Sequence, residues 1–285
     1  MEYQSPASID EAVAALAALE GARVMAGGTD LLVQLRSGAP RLGAIVDVKK
    51  IAEMCSIEET AEGFSVGAAV CGAQLTGHDA FSRAWPGVAE AAGLIGSTQI
   101  QGRASLGGNV CNASPAADTT PALIAARAKA EIVGPGGRRI VEVEKIATGP
   151  GKTSLGKGEM VVRFLLPARP ARAADAYLRM IPRTEMDIAV AGAGVSLTLD
   201  RGGVVADARV GLGAVAPTAL VLDQAADILT GTKLEDDVLA RLAAAAGAAA
   251  TPIDDKRGTI DYRRKVVGVL AKRAALIAYQ RAGER

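Results

Sequence analysis

The chain has 285 residues, of which 49% are hydrophobic, 22% charged and only 3% aromatic. That length supports two domains with real cores, built from Ala, Val, Leu and Ile rather than from aromatic rings. A formal net charge of +1 provides no overall field to recruit nucleic acid or an anionic membrane.

Ser8 with Glu11 behind it forms a capping box, and Ile9, Val13 and Leu16 recur at helical spacing, so a first helix starts there and stops at Gly21. "ARVMAGG" then reads as a short strand halted by paired glycines, "TDLLVQLRSG" as the next helix, and "GAIVDV" as a second strand. Residues up to about 50 therefore make a compact α/β unit. "GFSVGAAV" is a further strand, and Leu75 to Leu94 is mostly helical with Pro86 marking a helix start or turn. A polar, glycine-bearing loop follows, then a helix near Thr119–Ala128, a hairpin "AEIVG-PGG-RRIVEV" and the strand "EMVVRFLLP", ended by Pro167. Past Pro170 the chain reads as two long strands joined at "DRGG", two alanine-rich helices near Leu220–Leu229 and Glu235–Ala249, and a last helix. That last helix carries Tyr262, Val266, Leu270, Ala274 and Ile277 on one face.

The N-terminal stretch is acidic and amphipathic, without the basic, apolar and cleavage regions of a signal peptide, and no apolar run is long enough for a membrane span. Cys55, Cys71 and Cys111 are odd in number and stand at no metal spacing. A reducing, cytoplasmic setting is the simplest expectation.

Two stretches carry chemistry. "MAGGTDLL" places paired glycines between a strand and a helix, where the backbone can take positive φ, approach a ligand closely and aim free N–H groups at an anion. "SLGGN" repeats the device further along, within "SLGGNVCNASPAADTTPAL". Two anion cradles suit a diphosphate held from both sides. Asp118 stands where it could reach a ribose hydroxyl or a polar ring edge. The alternative for Asp118 or Thr119, just ahead of Pro121, is a helix cap. No G-x-G-x-x-G follows a strand, so the nicotinamide-type doubly wound fold is disfavoured.

Other features resolve more simply. "GPGKTS" resembles the end of a Walker A loop, but the glycine that motif needs is replaced by Ile146. His78 is the only histidine and has no catalytic motif around it, which also argues against a multi-histidine metal site. Cys111 reads as a small residue buried under a loop. Three cysteines cannot supply the four thiolates of an iron–sulfur cluster. The basic run Arg263, Arg264, Lys265, Lys272 and Arg273 reads as the wet face of an amphipathic helix.

Taken together, "AGGTDLLVQLRSG", "GSTQIQGRASLGGNVCNASPAADTTPAL", "RTEMDIA", "LGAVAPT" and "DYRRKVVGVLAKR" resemble, in order and over essentially the whole chain, the FAD-binding medium subunit of the molybdenum hydroxylases. This is the xanthine dehydrogenase and aerobic carbon monoxide dehydrogenase family. The resemblance implies an α+β fold: a two-subdomain FAD-binding domain of the vanillyl-alcohol oxidase (PCMH) type over residues 1–170, with subdomains of about 1–52 and 53–170, and a C-terminal α+β domain with an antiparallel sheet over 171–285. It implies that Ala26, Gly27, Gly28, Thr29, Asp30, Leu31 and Leu32 form the first diphosphate loop. Ser105, Leu106, Gly107, Gly108 and Asn109 form the second, with Ser114 in its tail. Asp118 matches a flavin-contacting aspartate, and Val161 falls near an adenine-side apolar contact. Arg179 stands where the family usually has a flavin-contacting lysine, an exchange that is not conservative. Gln99-Ile100-Gln101-Gly102 departs from the usual Q-I-R-N, and Ser105 and Leu106 replace Thr and Ile. The implied function is an electron-transfer subunit binding FAD. It would accept electrons from the [2Fe–2S] clusters of a small partner, beside a large molybdopterin partner, and pass them to an external acceptor. No metal site and no catalytic base are expected in this chain. A stand-alone flavin oxidase or reductase of the same fold, and a scaffold that has lost the flavin, are the alternatives. The shortage of histidine and aromatics in the C-terminal half disfavours the first, and the intact paired glycines disfavour the second.

Overall fold

The computed structural model describes residues 1–38 and 42–285. Its first unit is a three-stranded parallel sheet in the order β1-β3-β2, formed by β1 (Glu2–Gln4), α1 (Ile9–Ala18), β2 (Ala22–Met25), α2 (Leu31–Arg36) and β3 (Ala44–Asp47). α1 forms where the capping box places it: Ser8 Oγ accepts from the Glu11 N–H at 3.2 Å, and Glu11 returns a bond from the Ala7 N–H at 2.8 Å. Its buried face is Ile9, Ala12 and Leu16.

The second unit is a five-stranded antiparallel sheet with helices against it. In chain order it contains β4 (Ile57–Thr60), β5 (Gly63–Gly67), α3 (Gly72–Thr76), α4 (Asp79–Ala84), α5 (Pro86–Gly93), α6 (Thr98–Gln101), α7 (Leu106–Cys111), α8 (Thr119–Ala125), β6 (Lys129–Gly134), β7 (Gly137–Glu142), β8 (Ala147–Gly149), β9 (Lys152–Thr153) and β10 (Met160–Pro167). The strand order is β4-β5-β10-β6-β7, and β8 with β9 makes a separate small hairpin. One continuous core joins both units, from Ile9 and Val46 through Phe81 and Leu123 to Phe164. With so few aromatic rings available, Phe64 and Phe81 meet edge to face at 5.4 Å. His78 supplies a helix cap here, its Nδ1 accepting the Phe81 N–H at 3.2 Å.

The third unit is an antiparallel sheet in the order β11-β12-β13-β14, from β11 (Ala173–Met180), β12 (Ala191–Leu199), β13 (Val205–Gly213) and β14 (Leu220–Val221). It is covered by α9 (Ala225–Leu229), α10 (Asp236–Ala249) and α11 (Ile260–Gly283). The two long strands around "DRGG" are β12 and β13. β11 was missed by the alternation, because it is buried along most of its length. The helix expected from Leu220 starts only at Ala225, because Leu220 and Val221 first pair with β13.

The last helix buries part of the expected face and more besides: Leu270 and Ala274 are buried and Val266 and Ile277 half-buried as expected, but Arg263, Val267, Ala271, Ala275 and Ala278 are buried too, while Tyr262 is exposed. Small residues win because they allow close approach: a Cβ on Gly268 would stand 2.5 Å from the Ala243 carbonyl oxygen of α10. Arg263 is accordingly not on the wet face. It is 3% exposed, donates to the Val190 carbonyl at 2.8 Å and pairs with Asp255 at 2.7 Å, anchoring the start of α11.

The cofactor cleft

The first glycine loop leaves β2 at Met25 and enters α2 at Leu31. Its carbonyl side is pinned: Lys49 Nζ donates to the Ala26 carbonyl at 2.9 Å and pairs with Asp47 at 2.7 Å, while Tyr3 donates to Asp47 at 2.7 Å. Burial works to raise the Asp47 pKa, but the hydrogen bonds from Lys49 and Tyr3 outweigh it and hold the carboxyl below its ordinary value. The N–H side is free. Among the described residues, no acceptor pairs with the backbone N–H of Gly27, Gly28, Thr29 or Asp30. Gly28 has φ +75°, a conformation suited to glycine.

The second loop lies against the first. A Cβ on Gly27 would stand 1.8 Å from the Arg103 carbonyl oxygen, two residues ahead of Ser105, so only a glycine permits this contact. Ser105 caps α7 by accepting the Gly108 N–H at 3.1 Å, and the Gly107 N–H donates to Ala68 at 3.0 Å. This corrects the expectation of two equal cradles of free amides. The second loop already spends the N–H groups of Gly107, Gly108 and Asn109 inside the protein, because "SLGGN" is the capped first turn of a helix rather than an open loop. What it offers is a surface bare of side chain. A Cβ on Gly108 would meet only Ser105 Oγ, at 3.3 Å.

Both loops open onto a cavity of about 830 Å³ between the first and second units, within the size range of cofactor sites. Ala26, Gly27, Gly28, Thr29, Asp30 and Leu31 line it from one side. Ser105, Gly107, Gly108 and Asn109 line it from the other, and Val161 forms part of its floor. Leu32, Leu106, Ser114, Asp118 and Arg179 are not on its wall. Leu32 packs over Gly28, Leu106 is buried in the core, and Ser114 Oγ accepts from the Ala116 N–H at 3.3 Å.

Asp118 and Arg179 meet each other. Arg179 Nη1 donates to Asp118 Oδ2 at 2.7 Å, and Tyr177 Oη donates to Oδ1 at 2.8 Å. Burial raises the Asp118 pKa, offset only in part by Arg179 and Tyr177. Burial and the neighbouring carboxylate push the Tyr177 phenol well up, so it stays a donor. Asp118 therefore does not cap α8. That role falls to Asn109, whose Oδ1 accepts from the Thr119 N–H at 3.1 Å and from Thr119 Oγ1 at 2.6 Å. Arg179 Nε is buried and has no partner, an orphaned donor beside an otherwise satisfied network.

One wall of the cavity carries no binding motif in its sequence. The stretch after the small hairpin, Leu155 to Met160, lines the cavity together with Thr153. The available signal was the glycine spacing of "GPGKTSLGKGE", which failed as a phosphate motif and went no further. Cys111 also lines the cavity, and burial pushes its thiol up to about 12. No group of His, Cys, Asp and Glu suited to a metal ion occurs among the described residues.

A parallel α/β unit and an antiparallel α+β unit meet at paired glycine loops that line one cavity, with unpaired amides on the first loop, the arrangement of a two-lobed dinucleotide-binding domain. Comparison with known proteins agrees. Residues 1–169 match the family model for the FAD binding domain in molybdopterin dehydrogenase, and residues 176–278 match the CO dehydrogenase flavoprotein C-terminal domain. The chain is 33% identical over 282 residues to the carbon monoxide dehydrogenase medium chain of Afipia carboxidovorans, covering 99% of this chain and 97% of that one. It is 30% identical over 283 residues to the xanthine dehydrogenase FAD-binding subunit of Escherichia coli O157:H7, again covering 99% and 97%. The crystal structure of the Cu,Mo-CO dehydrogenase contains a chain that superposes with a TM-score of 0.95 at 33% identity, covering 99% of this chain and 98% of that one. Quinoline 2-oxidoreductase from Pseudomonas putida 86 gives 0.91 at 27% identity with the same coverage. The chain belongs to the family of FAD-binding subunits of the molybdenum hydroxylases.

Proposed function

We infer that this chain holds one FAD, non-covalently, in the cleft between its first and second units, and serves as the flavin link of a molybdenum hydroxylase assembly. The observation that carries this reading is the contact of Gly27 with Arg103, which seats the two glycine loops side by side on one cavity. The residues present fit the cofactor. Unpaired N–H groups from Gly27 to Asp30 suit a diphosphate, and Gly108 leaves its backbone open. Bound there, FAD would supply the exchange between one-electron iron–sulfur donors and an external acceptor.

This chain's own part is to bind, orient and insulate. Lys49, paired with Asp47, pins the Ala26 carbonyl, and the amides that follow it are left unpaired for a ligand. Asp118, Arg179 and Tyr177 bind one another in a buried cluster off the cavity wall, so in this reading they support the cleft through the fold, and the flavin-contacting roles expected of Asp118 and Arg179 remain for experiment to test. No residue here is asked to act as a general base. The partners in this reading are a small iron–sulfur subunit and a large molybdopterin subunit, in a cytoplasmic assembly. Among the described residues no helix is long and apolar enough to cross a membrane.

The test is to purify the chain alone and with its genomic neighbours. A yellow protein with a flavin absorbance band near ~450 nm that co-purifies with iron–sulfur and molybdopterin polypeptides supports the reading. A colourless chain that takes up no added FAD overturns it.

A further inference from the structure

The segment Leu155–Glu159 joins the small hairpin to β10 and forms one wall of the cavity. It has little secondary structure of its own and is held by packing and one ion pair. Gly158, with φ +81°, is wedged between α1 and the β6–β7 turn: a Cβ there would stand 3.2 Å from the Ala17 Cβ and 3.0 Å from Pro135. Glu159 is the fastening. Arg139 on β7 grips it with both arms of its guanidinium, Nε to Oε1 at 2.8 Å and Nη2 to Oε2 at 2.7 Å. The same carboxylate accepts the Gly156 N–H at 2.7 Å and so closes the strap on itself. Gly134 is shaped for this, because a Cβ there would lie 2.6 Å from Glu159 Cγ. Arg139 and the Gly156 amide hold the Glu159 carboxyl down at about 2, so the fastening stays ionised at any working pH.

The strap belongs to one half of the cleft. A diphosphate on the glycine loops divides an FAD into a flavin half, which must be reachable by electron donors and acceptors, and an adenosine half, which needs only burial. Leu155 of the strap packs with Leu16, Met160 and Val161 in one apolar cluster, and all four line the cavity. An apolar wall held against the core suits the redox-silent purine, whereas a flavin packed there would be kept from its exchange partners. We propose that the Arg139–Glu159 pair is a positioning and specificity device that holds the strap against the adenosine half, so that the chain selects the dinucleotide over the flavin mononucleotide. This rests on FAD occupying the cleft.

The experiment uses the full chain, stripped of flavin, with FAD, FMN and ADP titrated by flavin fluorescence and calorimetry. Glu159→Gln and Arg139→Lys are each compared with wild type. Loss of a bidentate, partly exposed pair together with the order of the strap weakens FAD and ADP in parallel, by about five- to tenfold, and leaves FMN unchanged. A wild-type chain that binds FAD and ADP, with both variants unchanged or with FMN weakened equally, overturns this inference alone. A wild-type chain that binds neither FAD nor ADP overturns the proposed function with it. Thermal unfolding is followed for both variants. Should Glu159→Gln fail to fold, Arg139→Lys, a charge-conserving change on a half-exposed side chain, decides the matter.

Discussion

Gly108→Ala separates a ligand's demand for glycine from the fold's. Inside the protein a methyl at this position meets only Ser105 Oγ at 3.3 Å, and Gly108 does not have positive φ. It lies in α7, where exchanging Gly for Ala gains about 0.5–1 kcal/mol of helix stability. For a chain of this size that is a rise of about 1–3 °C in the melting temperature of the flavin-free protein. If a phosphate lies against this backbone, the methyl pushes it away from the unpaired amides of the first loop, and losing one of those hydrogen bonds to a charged group costs about 1.5–3 kcal/mol. In affinity that is about 10- to 150-fold. The variant is therefore expected to be slightly more stable without cofactor and much weaker toward it. Gly27→Ala supplies the contrast: its Cβ would fall 1.8 Å from the Arg103 carbonyl, so the two loops must part and both stability and FAD affinity fall. Circular dichroism melts of stripped protein and fluorescence titration with FAD measure the two quantities. A Gly108→Ala protein that retains FAD with wild-type affinity refutes the placement of the cofactor on this loop.

Three further outcomes follow from other parts of the structure. Asp175→Ala strands Arg169, whose side chain is 7% exposed and is otherwise held by Trp85 at 3.8 Å, the Ala84 carbonyl and a long hydrogen bond to Ser196, and should cost about 3–5 kcal/mol in urea unfolding; a loss near zero would mean water reaches the site. Cys111, with its thiol pushed up to about 12 by burial, should resist iodoacetamide at pH 8 in the native chain while all three cysteines label after unfolding, as mass spectrometry of timed samples would show. The Glu159 carboxyl is lowered from 4.5 to about 2, so its contribution to stability is complete above pH 4.5 and is lost as pH falls toward 2; stability measured across that window should fall less steeply in Glu159→Gln than in wild type.

The order of elements was legible wherever a local rule was strong. The Ser8–Glu11 box, the strand stopped by Gly27 and Gly28, and the hairpin around Gly136 all read directly because each depends on neighbours in sequence. The pairing of the two glycine loops was also expected, from their shared dressing of small polar residues. What escaped were features set by tertiary contact. Asp118 and Asn109 are both plausible caps for α8 by type, and only packing against β11 turns Asp118 toward Tyr177 and Arg179 and leaves the cap to Asn109. Arg263 sits in a run of cations that periodicity assigns to water, yet it finds a carbonyl and a carboxylate in the interior. The strap was passed over because its glycines serve packing against Pro135 and Glu159 rather than any ligand motif.

The position of α8 explains how the C-terminal unit can matter to a cleft that it does not line. Every residue on the cavity wall lies at or before Val161. α8 is buried along its whole length, and its first turn is tied to the second glycine loop through Asn109. Its other side fits a glycine-lined groove in the C-terminal sheet, where Cβ atoms on Gly194 and Gly211 would stand 2.7 and 2.3 Å from the Pro121 carbonyl oxygen. Arg209 of β13 also donates to the Ile124 carbonyl at 2.8 Å. A helix clamped this closely cannot shift without moving Asn109, and Asn109 cannot move without disturbing the turn that presents Gly108. The three glycines Gly194, Gly211 and Gly213, which look like weak points in two strands, are thus the means by which a sheet remote from the cavity fixes the loop that lines it.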